Sequence, residues 1–337
     1  MRETTIIKDS ELELYITSSD LAGKAKALLA QQKQTWELLS KGYNSLDGVE
    51  VKTFDFGHFK IKVQFNPGRI TSSAAKVDEK SIKERKCFLC PANLPEPQKG
   101  IPYKNDYIVL CNPFPIFNEH FTLPKVSHVP QEIRSSFPDL LDFTKDLSRY
   151  YTVFYNGPKC GASAPDHLHF QAGDKSFMPI DGEYNEVKEK LGRKIVDCND
   201  LQVFAVDGYL AKFISFESSN REALIEGFNR FYEAFQEVSG SQPEEPMMNI
   251  LSFYEDGRWN VLVFPRGKHR PSYFFMEGDE NILLSPAAVD MGGVLITPLE
   301  KDFKKMTKEN IEDIFRQVTL SDESFGYIRE KLTKIYS

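Results

Sequence analysis

Two of the chain's six histidines, His167 and His169, stand two residues apart, and Gln171 continues the same spacing. In a β-strand, residues i, i+2 and i+4 face one side. The stretch His-Leu-His-Phe-Gln therefore predicts a row of His167, His169 and Gln171, with Leu168 and Phe170 turned into a core behind it. Neighbours in such a row lie roughly 7 Å apart, within reach of one phosphate group. A neutral imidazole is a competent nucleophile towards phosphorus near neutral pH. The small-residue run of Gly161, Ala162, Ser163 and Ala164 just upstream lets backbone amides and the Ser163 hydroxyl come close to a phosphate. Two surface histidines on an ordinary strand are the alternative, and Gln171, the small-residue loop and the apolar alternation weigh against it.

The elements that must present this row are legible in part. Apolar residues at helical spacing predict a helix from Ser19 to about Tyr43, and the alternation of Phe59, Ile61, Val63 and Phe65 predicts a strand within 54–65, entered through a turn at Gly57. A polar stretch (66–86) leads to Cys87-Phe88-Leu89-Cys90. Strands are expected at 107–112 and 120–125, a helical region from about Gln131 to Tyr150, and then a strand into the histidine motif. Further on come a helix at 219–238, a Pro-rich break at 241–246, a hairpin turning at Asp256-Gly257, and a C-terminal helix from about Lys308, while 188–194 reads as a solvated helix face.

A chain of 337 residues suits two modules. The segments Pro124 to Pro130 and Pro265 to Pro271 share the pattern Pro, basic, x, x, His, x, Pro, which suggests one α+β unit used twice. The expected division is 1–185, carrying the cysteine pair and the histidines, and 186–337, where the region around 285–298 has no histidine to match. No run approaches the roughly 18 apolar residues of a membrane span, and no signal-peptide core stands at the N-terminus, so a cytoplasmic protein is expected. The formal net charge of −7 argues against general nucleic-acid binding and leaves room for a small anionic substrate held by a local basic cluster. Five cysteines, an odd number, argue against a disulfide scaffold. The Cys87/Cys90 spacing reads as half a metal site or a redox motif, although no strand-to-helix setting supports the latter.

The stretch 156–171 resembles the histidine-triad superfamily, in the branch that carries Gln as the third motif residue: galactose-1-phosphate uridylyltransferases, diadenosine tetraphosphate phosphorylases and GDP-hexose phosphorylases. The segment 112–128, ending in Pro-Lys and then a His, is similar to the same proteins. The resemblance implies two fused histidine-triad-like units of α+β class, antiparallel sheets flanked by helices, with the second unit degenerate. It also implies a two-step transfer: His169 attacks the α-phosphorus of a nucleotide, and a phosphate or sugar phosphate then takes the nucleotidyl group from it. Gln171 would hydrogen-bond the phosphate, and being neutral it suits transfer better than hydrolysis. Asn156, Gly161 and Ser163 match positions around the phosphates, although one extra residue separates Ser163 from His167. Asn66 and Arg69 resemble the family's N-terminal nucleotide segment, and Arg85 lies near the cysteine pair. Arg266 and Lys268, in the second basic segment, are candidates for a far phosphate.

By the same resemblance Cys87, Cys90, His128 and His167 form a closed structural zinc site, with His120 as a substitute ligand if His128 fails; a metal-free cysteine pair is the alternative. No organic cofactor is expected. The implied substrate is a nucleoside-diphosphate sugar with a phosphate or sugar-phosphate acceptor, in a monomer or homodimer. Phosphorolysis or hydrolysis of a dinucleoside polyphosphate, and a non-catalytic nucleotide-binding regulator, are the other readings. A zinc-dependent hydrolase would need an open metal position, which four protein ligands deny.

Overall fold

The computed structural model describes residues 5–70, 78–241 and 243–336; part of the polar stretch expected at 66–86 therefore lies outside the described residues. The described strands are β1 (Glu50–Asp55), β2 (Lys60–Phe65), β3 (Gly100–Tyr103), β4 (Tyr107–Cys111), β5 (His120–Pro124), β6 (Tyr151–Asn156), β7 (His169–Asp174), β8 (Gly192–Cys198), β9 (Leu201–Val206), β10 (Phe213–Ser218), β11 (Met248–Glu255), β12 (Arg258–Pro265) and β13 (Val294–Thr297). Ten of them form one antiparallel sheet in the order β3-β4-β5-β7-β6-β11-β12-β10-β9-β8. Read inward from either edge, the order repeats: first, second, third, fifth and fourth strand of each half, meeting at the β6–β11 seam. Helix α1 (Phe137–Asp146) lies between the third and fourth strands of the first half, and helix α2 (Arg221–Ser239) lies between those of the second.

This topology corrects the sequence echo. The segment at 124–130 follows β5, a third strand, whereas 265–271 follows β12, a fifth strand. The repeat is real in the sheet, but these two basic segments are not equivalent positions. The counterpart of β7 is β12 itself, not the 285–298 region. Both sheets run across the expected 185/186 division, since β13 pairs in parallel with β2 to complete a three-stranded sheet.

The elements follow from local chemistry. Asn220 caps α2 by accepting from the amides of Glu222 and Ala223, and Leu224, Phe228, Phe231 and Phe235 share its buried face. Gly240, at φ +61°, ends it in the left-handed conformation. Phe228 stacks on Phe137 of α1 at 3.9 Å, so the two equivalent helices close one side of the sheet. The helix expected from Ser19 to Tyr43 is two, Leu21–Thr35 and Glu37–Asn44. The break at Trp36 buries the indole and brings the Tyr43 hydroxyl onto the backbone of His120. The helix over 188–194 ends at Leu191, because Gly192 starts β8 where a Cβ would meet the Lys188 carbonyl at 2.4 Å.

Across the seam, Glu245 from the Pro-rich break is buried, accepting from the Ile133 amide (2.6 Å) and the Tyr155 hydroxyl (2.7 Å). Burial pushes its carboxyl up to about 8 from a usual 4.5. A carboxyl whose folded pKa is raised contributes stability that is complete below about 4.5 and lost as pH rises through about 8. Glu245→Gln, which keeps the shape and cannot ionise, is therefore expected to remove a few kcal/mol of the fall in stability between pH 5 and 8. Urea unfolding of both proteins at the two pH values measures it, and identical slopes would rule the effect out.

Candidate active site

Strand β7 places the motif at the seam's edge, paired with β5 (Pro124 opposite His169, Thr122 opposite Gln171) and with β6 (Phe154 opposite Gln171). Leu168 and Phe170 are buried in the core as the alternation requires. His167 departs from the expected row: β7 begins at His169, and His167 sits in the turn before it. Of the three expected residues, His169 and Gln171 share the strand face.

The His169 imidazole is held by its own motif. Its Nδ1 lies 2.8 Å from the His167 carbonyl oxygen, so Nδ1 carries the proton and Nε2 keeps its lone pair. Burial lowers its pKa to about 4, so the ring is neutral at pH 7. Gln171 is oriented by a residue whose part the sequence did not show. The Ile116 amide donates to His120 Nδ1 (3.3 Å), which leaves the His120 proton on Nε2, 3.0 Å from Gln171 Oε1. The Gln171 carbonyl is thereby engaged, which leaves its NH2 as the free donor of the side chain. Burial first, and then the nearby Arg69 charge, hold His120 down to about 3, neutral throughout the working range. His120 stands apart from the metal-type cluster, so it is not the substitute ligand. Its place on a strand beside the histidine motif is the one sequence signal that pointed to it.

Cys87, Cys90, His128 and His167 converge so that their four donor atoms lie within 4.8 Å of one another. His167 Nδ1 is 3.2 Å from Cys87 Sγ, 3.5 Å from Cys90 Sγ and 3.2 Å from His128 Nδ1, which is itself 3.2 Å from Cys90 Sγ. A tetrahedral zinc site with bonds of about 2.0–2.3 Å sets its ligand atoms about 3.3–3.8 Å apart, so the set fits such an ion. His167 Nε2 donates to the Lys125 carbonyl at 2.7 Å, freeing Nδ1 for a metal. Burial opposes ionisation of Cys87, but the His167 hydrogen bond and backbone amides bring its thiol down to about 6. Burial and the adjoining Cys87 push Cys90 up to about 11. Asn93 closes the knuckle by donating to the Cys87 carbonyl. Arg85 pairs with Asp166, next to His167, at 2.5 Å.

Around the loop 157–168 the second half of the chain takes part. Gly161 adopts φ +96°, and a Cβ there would stand 2.5 Å from the Ala287 Cβ, so glycine is needed on both counts. Asn156 Oδ1 accepts from the Asn249 side chain and the Ala288 amide, both at 2.8 Å, and Asn249 also donates to the Cys160 carbonyl. Ser163 is half-buried on the same loop. Arg69 donates to the Phe114 carbonyl (2.5 Å), and burial lowers its pKa to about 10, still a cation at pH 7. Asn66 is buried against Gln64 and the Pro115 carbonyl. Arg266 is a correction. Its guanidinium is buried, and its five N–H groups go to Val318, Pro286, Lys268 and His269 carbonyls and to Asn249 Oδ1, leaving no donor for a phosphate. It ties Asn249, and so the 157–168 loop, to the 285–288 segment. Lys268, beside it, is exposed.

Residues 28–174 match a domain family of unknown function, DUF4922, and residues 186–337 match the GDPGP1-like, C-terminal domain. Among curated proteins there is no significant match. Two crystal structures of yeast Ap4A phosphorylase Apa2 share the fold at 16% identity. The form with AMP superposes with a TM-score of 0.54 over 87% of this chain and 96% of that one. A second crystal structure of the same phosphorylase gives 0.52 over 86% and 94%. The chain therefore shares the fold of these Ap4A phosphorylase structures, and its residues 186–337 match the GDPGP1-like, C-terminal domain.

Proposed function

We propose that the protein is a nucleotidyltransferase that works through a covalent nucleotidyl-His169 intermediate. The observation that carries this is the fixed tautomer of His169, a buried neutral ring with Nδ1–H on the His167 carbonyl and Nε2 unprotonated on the face it shares with Gln171. In the first step Nε2 forms a bond to the α-phosphorus as the bond to the leaving phosphate oxygen breaks. In the second, a phosphate oxygen of the acceptor attacks phosphorus and the nitrogen leaves. The His167 carbonyl stabilises the positive charge that the ring gains on attack, and the Gln171 NH2 donates to a phosphoryl oxygen as charge grows there. Arg69, Ser163 and the amides of the Gly161 loop supply the remaining phosphate contacts, with Asn156 and Asn66 holding the surrounding backbone and Lys268 at the rim.

The donor we assign is a nucleoside-diphosphate sugar and the acceptor inorganic phosphate or a sugar phosphate, a choice supported by the GDPGP1-like match over 186–337. The likeness to Ap4A phosphorylase favours diadenosine tetraphosphate as the second reading. Zinc in the Cys87, Cys90, His128 and His167 set would fasten the turn that carries the His167 carbonyl. Incubation with GDP-glucose, UDP-glucose or diadenosine tetraphosphate, each without acceptor, should give one nucleoside-monophosphate mass adduct on His169 with the true donor. No adduct from any of the three would refute the covalent route for these donors.

A further inference from the structure

Gln131 is a fully buried glutamine that neither the motif nor the proposed phosphate contacts account for. Its Oε1 accepts from the His169 amide at 2.8 Å, while its Nε2 donates to the His169 carbonyl at 3.0 Å and to the Asn156 carbonyl at 2.9 Å. All the hydrogen-bonding groups of the carboxamide are therefore engaged. Two of the bonds grip both backbone groups of one residue, as a neighbouring strand would, and the third grips the last residue of β6. Asn156 and His169 are the two ends of the 157–168 loop, so one side chain sets the width of that loop's mouth.

The grip is itself braced. The Gln131 amide donates to the Pro165 carbonyl, the Lys125 amide to the Leu168 carbonyl and the Leu168 amide to the Val129 carbonyl, which zips 125–131 against 165–168. Two residues on, the Ile133 amide is held by Glu245, which the Tyr155 hydroxyl also bonds. The second half of the chain thus reaches the nucleophile's backbone through Glu245 and Gln131.

We infer that Gln131 is a positioning residue for phosphoryl attack: it fixes the His169 backbone against Asn156 so that Nε2 meets phosphorus at bonding distance and angle. The inference rests on His169 being the nucleophile. Displacement of a reacting atom by about 1 Å costs on the order of 100-fold in rate, whereas donor affinity is shared among several contacts, one of which, Arg69, sits on a separate element, Pro67–Arg69. Removing the grip should therefore slow chemistry more than it weakens donor binding.

The test is the full-length Gln131→Met protein, which keeps the volume and loses all three bonds, assayed in single turnover for adduct formation and in steady state with phosphate. The expected result is a loss of about 10- to 100-fold in kcat and in adduct rate, with KM for the donor within about threefold of the parent. Gln131→Glu, which keeps the acceptor for the His169 amide, serves if the Met variant does not fold, and an intermediate loss is expected there. Rates within about threefold of the parent, or matching losses in kcat and donor affinity, would overturn the assignment. His169→Ala run beside them separates the two levels: if it retains turnover, the nucleophile reading fails, whereas an inactive His169→Ala with a fully active Gln131→Met sinks the positioning role alone.

Discussion

His169→Ala is expected to lose at least about 10⁴-fold in turnover and all of the nucleotidyl adduct, while folding normally. The expectation follows from where the proton sits. With Nδ1–H committed to the His167 carbonyl, Nε2 is the single basic atom of the ring, and no neighbour can replace it. His167 has Nε2 on the Lys125 carbonyl and Nδ1 among the cysteines, and His120 has both nitrogens engaged. Direct transfer between donor and acceptor would require both to be bound at once, and the expected ping-pong kinetics would then be absent. Steady-state rates with varied donor and acceptor, together with intact-mass analysis of parent and variant, decide the matter. Turnover by His169→Ala within about tenfold of the parent would end the covalent scheme.

Loss of the metal-type site is expected to have the largest effect on stability. Cys87→Ala should abolish binding of about one zinc per chain and lower stability by about 3–5 kcal/mol, with a chelator doing much the same to the parent. The physical ground is the convergence of four donor atoms from three separate segments: the knuckle at 87–90, the turn after β5, and the turn before β7. Without a cation, Cys90 is held up at about 11 and two imidazole nitrogens face each other at 3.2 Å. With one, four lone pairs share a partner and the binding energy becomes folding energy. The effect extends to His169, whose ring is fixed by the carbonyl of His167. Metal analysis of purified protein and thermal unfolding with and without chelator measure this. Protein that carries no metal after growth with zinc, and unfolds at the same temperature with chelator, would refute it.

The pieces of the site were unevenly legible. The His-x-His-x-Gln spacing, the cysteine pair and the glycine-serine loop are local patterns whose chemistry depends on residue type and short-range geometry, so they could be read from the chain. The four convergent ligands could be named by resemblance because each stands in its own short motif. Arg266 was misassigned because a basic run reads as surface, and nothing local shows that five protein oxygens fill its donors. The basic echo misled for a similar reason: the repeat lies in strand order, and residue types at equivalent positions have diverged. Strands β10 and β13 went unforeseen because they are buried along their whole length and carry no alternation, while β3 and β8 are edge strands, and β8 shows little of the alternating burial that marks a strand in the sequence.

By itself the sequence determined which atoms are available for chemistry: an imidazole and an amide on one strand, one set of thiol and imidazole donors, and enough apolar surface for a large sheet. Only the tertiary structure decided how those atoms are used. Tautomers, amide orientations and the exposure of a charge are set by partners far away in the chain, such as Ile116 for His120, the Lys125 carbonyl for His167, and Gln131 with Glu245 for His169. Hydrogen bonds act at about 3 Å, and a linear chain does not state which distant groups will be brought to that distance.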